Sequence, residues 1–211
     1  MLQEPENHAR IILLRHPEIN DPERGQALGQ GGATLSRRGE QQTIEVLRSI
    51  ADLTLDHVYS SPASHCRVTA EGIARDRGLE ASVSDSLVGQ ALGLWEGQAW
   101  ALLHAEHETL VREFFRDYGK FAPPGGETLS DAVDRVLGWW SEIVDDLESK
   151  TILIVGAAPL LGGFAARLLG LGIGRAPALN LPSAAFGILD VFRDGAALRS
   201  WHPNALREDL P

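Results

Sequence analysis

The chain has 211 residues, 44% of them hydrophobic, and nineteen Lys and Arg against twenty-nine Asp and Glu leave a net charge of −10. Such a chain can bury one substantial core, while its negative balance repels nucleic acid and anionic lipid at long range. One cysteine, Cys66, excludes an intrachain disulfide framework, and Met1 to Asn7 lacks the basic and apolar parts of a signal peptide, so a cytoplasmic location is expected.

In chain order, residues 10–15 form an apolar run that reads as a strand and delivers Arg15 and His16 where the chain must leave the sheet. The stretch 25–32 is rich in glycine but has no nucleotide-binding pattern, and it reads as a mobile loop over a cleft. Helical periodicity follows over 36–51, a strand over 57–60 and a second helix over 62–77. Residues 85–127 contain no convincing core strand. With helical spacing over 98–118, they read as a partly helical lid or wall beside the site.

His104 and His107, followed by Glu108, read as a solvated helix face rather than a metal chelate. Trp95, Trp100, Trp139 and Trp140 are either core packing or an apolar cleft wall. Thr128, with Asp131 three residues on, caps a helix predicted over 128–148. Thr151 to Gly174 is the longest apolar stretch. Pro159, Arg167 and six glycines interrupt it, so it reads as a buried strand over 151–155 feeding a core helix, not a membrane span. A strand over 186–192 turns at Asp194-Gly195 into an edge strand over 198–201, and the tail from His202 reads as surface structure.

This alternation predicts a three-layer α/β/α sandwich with a mostly parallel central sheet, built as one domain over 1–211 with an insertion at about 85–127. In such sheets ligands sit beyond the carboxyl ends of the strands, so Arg15-His16 and Gly156-Ala157 are expected to face one cleft.

Several motifs in order carry a resemblance: Leu14-Arg15-His16, Val58 to Pro62 with Thr69-Ala70, Gly93 to Gly97, Pro124 to Thr128, Ile152 to Gly163 and Leu181 to Ala184. Together they resemble the histidine phosphatase superfamily, phosphoglycerate mutase-like branch. The resemblance implies that His16 sits where the family's phosphate-accepting histidine lies and Arg15 where a phosphate-binding arginine lies. In the same register the family's second arginine, its proton-donating glutamate and its second histidine fall on His65, Gly89 and Ala157, and the glycine after the first histidine is Pro17. Arg67 is no substitute for the arginine, because two residues along a helix is a rotation of about 200°.

The resemblance therefore implies a degenerate catalytic set, with Arg15, His16 and His65 as the expected catalytic residues and Asn20, Gln90, Ala157 and Ala158 as substrate-binding positions. A small-molecule ligand is the expected partner, with no nucleic acid, membrane, metal or cofactor, and a homodimer is left open. Three functions remain in play: a repurposed enzyme acting on a weakly charged metabolite, a non-catalytic binding protein, and a weak phosphomonoesterase using His16.

Overall fold

The computed structural model describes residues 8–20 and 25–202; the readings made at Met1 to Asn7 and at Pro203-Asn204 lie outside them. Strand β1 (Ala9–Arg15) lies inside a six-stranded sheet of order β3-β2-β4-β1-β5-β6, with β2 (His57–Ser60), β3 (Ala81–Val83), β4 (Thr151–Gly156), β5 (Phe186–Phe192) and β6 (Gly195–His202). β1, β4, β2 and β3 run parallel, while β5 pairs antiparallel with β1 and β6 returns against β5. The β5–β6 turn carries Gly195 at φ 153°, a conformation that favours glycine.

Side chains alternate across a strand, so β1 and β4 feed two cores at once. Ile11, Leu13, Ile152 and Ile154 pack toward α5 (Leu129–Ile143) and α6 (Ala158–Leu168). Ile12, Leu14, Leu153 and Val155 pack toward α1 (Arg37–Ser49) and α2 (Ser64–Asp76). Helices therefore cover both faces, which explains why the two central strands are continuous apolar runs. Thr128 and Asp131 form the expected reciprocal cap at the start of α5.

Besides shifts of one to three residues at the ends of elements, such as β6, three features differ from the sequence reading. The helix expected over 98–118 is two, α3 (Trp100–Glu106) and α4 (Glu108–Arg116), separated at His107, whose φ of −132° and ψ of 38° leave the helical region. His107 closes α3 by donating its N–H to Leu103 and opens α4 by accepting from Val111. No glycine or proline marks that break. The helix predicted to 148 is α-helical only to Ile143 and tightens into a 3₁₀ turn over Val144–Leu147. Strand β3 went unpredicted, because three residues, two of them exposed, show no usable alternation.

The stretch 85–127 builds a third, smaller core from Leu92, Trp95, Leu103 and Val111 together with Ala27 of the glycine-rich loop. Among the described residues no helix is long and apolar enough to cross a membrane.

Candidate active site

The carboxyl ends of β1 and β4 meet where His16 donates its backbone N–H to the carbonyl of Gly156 at 3.1 Å. Beyond them opens a cavity of about 490 Å³ lined by Arg15, His16, His65, Gly89, Gln90, Ala157 and Ala158. Those seven come from four separate parts of the chain. Asn20 alone among the expected site residues is not brought there. It is exposed, donates its side-chain amide to Thr34 Oγ1 and the Leu35 carbonyl, and lines a separate small cavity.

His16 is buried, and its ring stands edge-on to that of His65 with centroids 4.3 Å apart. Nδ1 of His16 lies 2.8 Å from the carbonyl of Pro17. A carbonyl only accepts, so Nδ1 carries the proton and Nε2 of the neutral ring is left with a lone pair. In His65 the polarity is reversed: Ala33 donates its backbone N–H to Nδ1 at 3.2 Å, so the neutral ring carries its proton on Nε2. Burial pushes the pKa of His16 down to about 3, aided by the neighbouring His65 and Arg15 and opposed by the Pro17 carbonyl. Burial likewise pushes His65 down to about 4. The site thus holds two neutral imidazoles, one an acceptor and one a donor at Nε2.

Arg15 is half-buried, and burial lowers its pKa from the ordinary value, though a guanidinium keeps its charge. One terminal nitrogen donates to the carbonyl of Leu181 at 2.8 Å, while Nε is buried with no partner among the described residues. It is the one Lys or Arg among the described cavity-lining residues. Arg67 is exposed and pairs with Glu71, as the rotation along α2 requires.

Two further acids are occupied. Glu96 accepts from the backbone N–H groups of Leu92 and Gln30, and Glu127 accepts from Ala91 and pairs with Arg135. Gln90, expected as a substrate-binding position, gives one amide hydrogen to the Glu127 carbonyl. Gly89 is buried under the glycine-rich loop, and a Cβ there would lie 2.5 Å from the carbonyl oxygen of Gly29. That loop does lie over the cavity, and it is pinned: Ala27 exchanges backbone bonds with Gln98 and Gly97, and Trp100 donates to Gly25.

Of the four tryptophans singled out, Trp100 lines the cavity, Trp95 packs beneath it, and Trp139 and Trp140 belong to the core around Tyr59 and Phe164. Sequence reasoning missed Phe114, Phe115 and Tyr118, which complete the apolar wall, and Ser61 and Ser183 at the polar end. The wall had a signal. Val111, Phe114, Phe115 and Tyr118 repeat at helical spacing on a segment too short to form a core of its own.

A family model described as histidine phosphatase superfamily (branch 1) matches residues 11–204. The chain belongs to the histidine phosphatase superfamily. It is 30% identical over 189 residues to a bifunctional protein of Mycobacterium tuberculosis, covering 89% of this chain and 52% of that one. This superfamily member therefore spans about half the length of that relative. It is 24% identical over 180 residues to phosphoserine phosphatase 1 of Hydrogenobacter thermophilus, covering 85% of each. The crystal structure of the α-ribazole phosphatase from Shigella flexneri superposes with a TM-score of 0.81 at 24% identity, over 92% of this chain and 96% of that one, a likeness of fold.

Proposed function

We propose that this histidine phosphatase superfamily member performs acid–base chemistry on a small, weakly charged metabolite, with His16 as the base, His65 as a neutral hydrogen-bond donor and Arg15 as the anchor for one anionic or carbonyl oxygen. The observation that carries this reading is the cation content of the cavity: among the described residues Arg15 is the one permanent positive charge, and it already spends a donor on Leu181.

Phosphoryl transfer depends on positioning and on cations that stabilise charge spread over the equatorial oxygens. In the register that the resemblance gives, a second arginine has become His65, a glutamate Gly89 and a histidine Ala157. Each lost charge stabiliser costs about 3–4 kcal/mol in the barrier and a lost general acid roughly 10²–10⁴ in rate, with strong non-additivity. His65 does not replace the arginine's charge, because burial holds it neutral and its Nδ1 is committed to Ala33. A ligand with one oxygen function is better matched: Arg15 supplies charge-assisted hydrogen bonds, His65 Nε2–H donates, and His16 Nε2 accepts a proton beside them. The net charge of −10 is consistent with a small molecule rather than nucleic acid as partner.

Hydrolysis of a generic aryl phosphate tests the reading. The expected result is no turnover that depends on His16; robust turnover abolished by His16→Ala would overturn it. A second reading, weak phosphomonoester hydrolysis with His16 as nucleophile, is favoured by one observation. The Pro17 carbonyl holds the Nδ1 proton and leaves the Nε2 lone pair free, as a phosphate-accepting imidazole requires.

A further inference from the structure

The cavity has two chemically distinct ends. Arg15, His16 and His65 form the polar one, and Trp100 with Phe114, Phe115 and Tyr118 forms the other. The aromatic end is an ordered array rather than loose apolar surface. Trp100 lies 5.9 Å from Phe114 with ring planes 29° apart, and Phe115 meets Trp100 at 5.4 Å and Phe114 at 5.2 Å, tilted by 53° and 82°. Beneath it Trp95 is fully buried and edges against both Trp100 and Phe114, so the array rests on packed core.

Phe115 is 56% exposed although it belongs to this wall. A large apolar ring held in a cavity wall and left that open has hydrophobic area for a guest to cover. The array also fixes where ring faces and edges point, and a planar aromatic guest can meet both through stacked and edge-to-face contacts. A saturated guest of equal volume gains the burial without that geometry. An ammonium guest, which aromatic faces also attract, is opposed by Arg15 in the same cavity. Glu18, the acid lining it, is already bonded to Ser36 and faces Arg38.

Resting on the acid–base reading for the polar end, we propose that the ligand is an aryl carboxylate, phenolate or similar singly charged aromatic, its ring on the Trp100–Phe115 surface and its oxygen function at Arg15. A cavity of about 490 Å³ lies within the range that accepts a bicyclic ring with one such group.

Calorimetric titration of the full chain with 2-naphthoate, its fully saturated decahydro counterpart and 2-naphthyl phosphate tests this. The naphthoate is expected to bind roughly two- to tenfold tighter than the saturated acid. Phe115→Ala should weaken naphthoate at least threefold, Phe115→Tyr should retain it, and Arg15→Met should lose it. Circular dichroism checks that each variant is folded. Equal affinity for the two acids, indifference to Phe115→Ala, or no binding by any of the three overturns the proposal. If the naphthyl phosphate binds far tighter than the acid and still depends on Phe115, the aromatic seat stands and the weakly charged reading of the polar end fails.

Discussion

Arg10 and Arg15 sit on the same strand, and the fold treats them in opposite ways. Arg10 makes two hydrogen bonds to Asp190, at 2.8 and 3.1 Å, and Arg199 and His8 approach the same carboxylate from β6 and the start of β1. Asp190 is fully buried; burial pushes its carboxyl up, but the hydrogen bonds and charge of Arg10 and Arg199 outweigh that and hold it below the ordinary range. At the other end of β1, among the described residues, the buried Nε of Arg15 has no partner and no protein group bonds Nε2 of His16 or His65. A fold that pairs one arginine so fully and leaves another short, on one strand, separates structural polar groups from those held ready for a ligand.

The contrast is sharpest in stability. Asp190→Ala removes the buried carboxylate that Arg10 and Arg199 share and leaves a hole in its place; it is expected to cost about 3 kcal/mol, the lower end for breaking a buried pair because both arginines reach solvent. Urea denaturation measures it, and an unchanged midpoint would show that this cluster is no more structural than the cleft. Next in size, Gly89→Ala forces the Gly29 carbonyl to move and should cost about 1–3 kcal/mol by overpacking. A neutral result there would mean that the loop over the cleft yields freely, and that a larger side chain at 89 could be introduced without rebuilding it.

The imidazole pair predicts a pH dependence. Both folded pKa values lie below the ordinary 6.5, so the unfolded chain takes up protons first as pH falls. The stability they contribute is complete above about 6.5 and is lost as pH falls toward about 4 for His65 and about 3 for His16. The slope is at most about 1.4 kcal/mol per pH unit per ring. Denaturation midpoints at pH 7 and pH 5 should fall less in His65→Gln than in the parent; equal falls would mean that His65 is not held neutral. The smallest effect is expected for Arg15→Met, under about 1 kcal/mol, since it removes one hydrogen bond together with an unpartnered donor. A large loss would place Arg15 with Arg10 among the structural arginines.

Most of the fold was legible because β1 and β4 are unbroken apolar runs and α1, α2 and α5 have clear starts and periodicity. The break at His107 and the three-residue β3 were not, since neither has a glycine, a proline or a repeat long enough to mark it. Within the cleft, the strand end at Arg15-His16 could be read from the apolar run before it, and the position of His65 from the register that the family resemblance supplies. What could not be read were the hydrogen bonds that set each ring's polarity, because the carbonyl of Pro17 and the N–H of Ala33 are backbone groups that every sequence offers. Asn20 illustrates the same limit: its amide is satisfied locally by Thr34 and Leu35, a competition that residue type alone does not reveal.

Nitrogen NMR of the histidine rings between pH 7 and pH 5 decides whether the cleft sets two neutral imidazoles of opposite polarity beside its one cation. His16 is predicted to be neutral throughout with its proton on Nδ1, and His65 neutral throughout with its proton on Nε2. Either ring titrating near 6.5, or both carrying the proton on the same nitrogen, would contradict it.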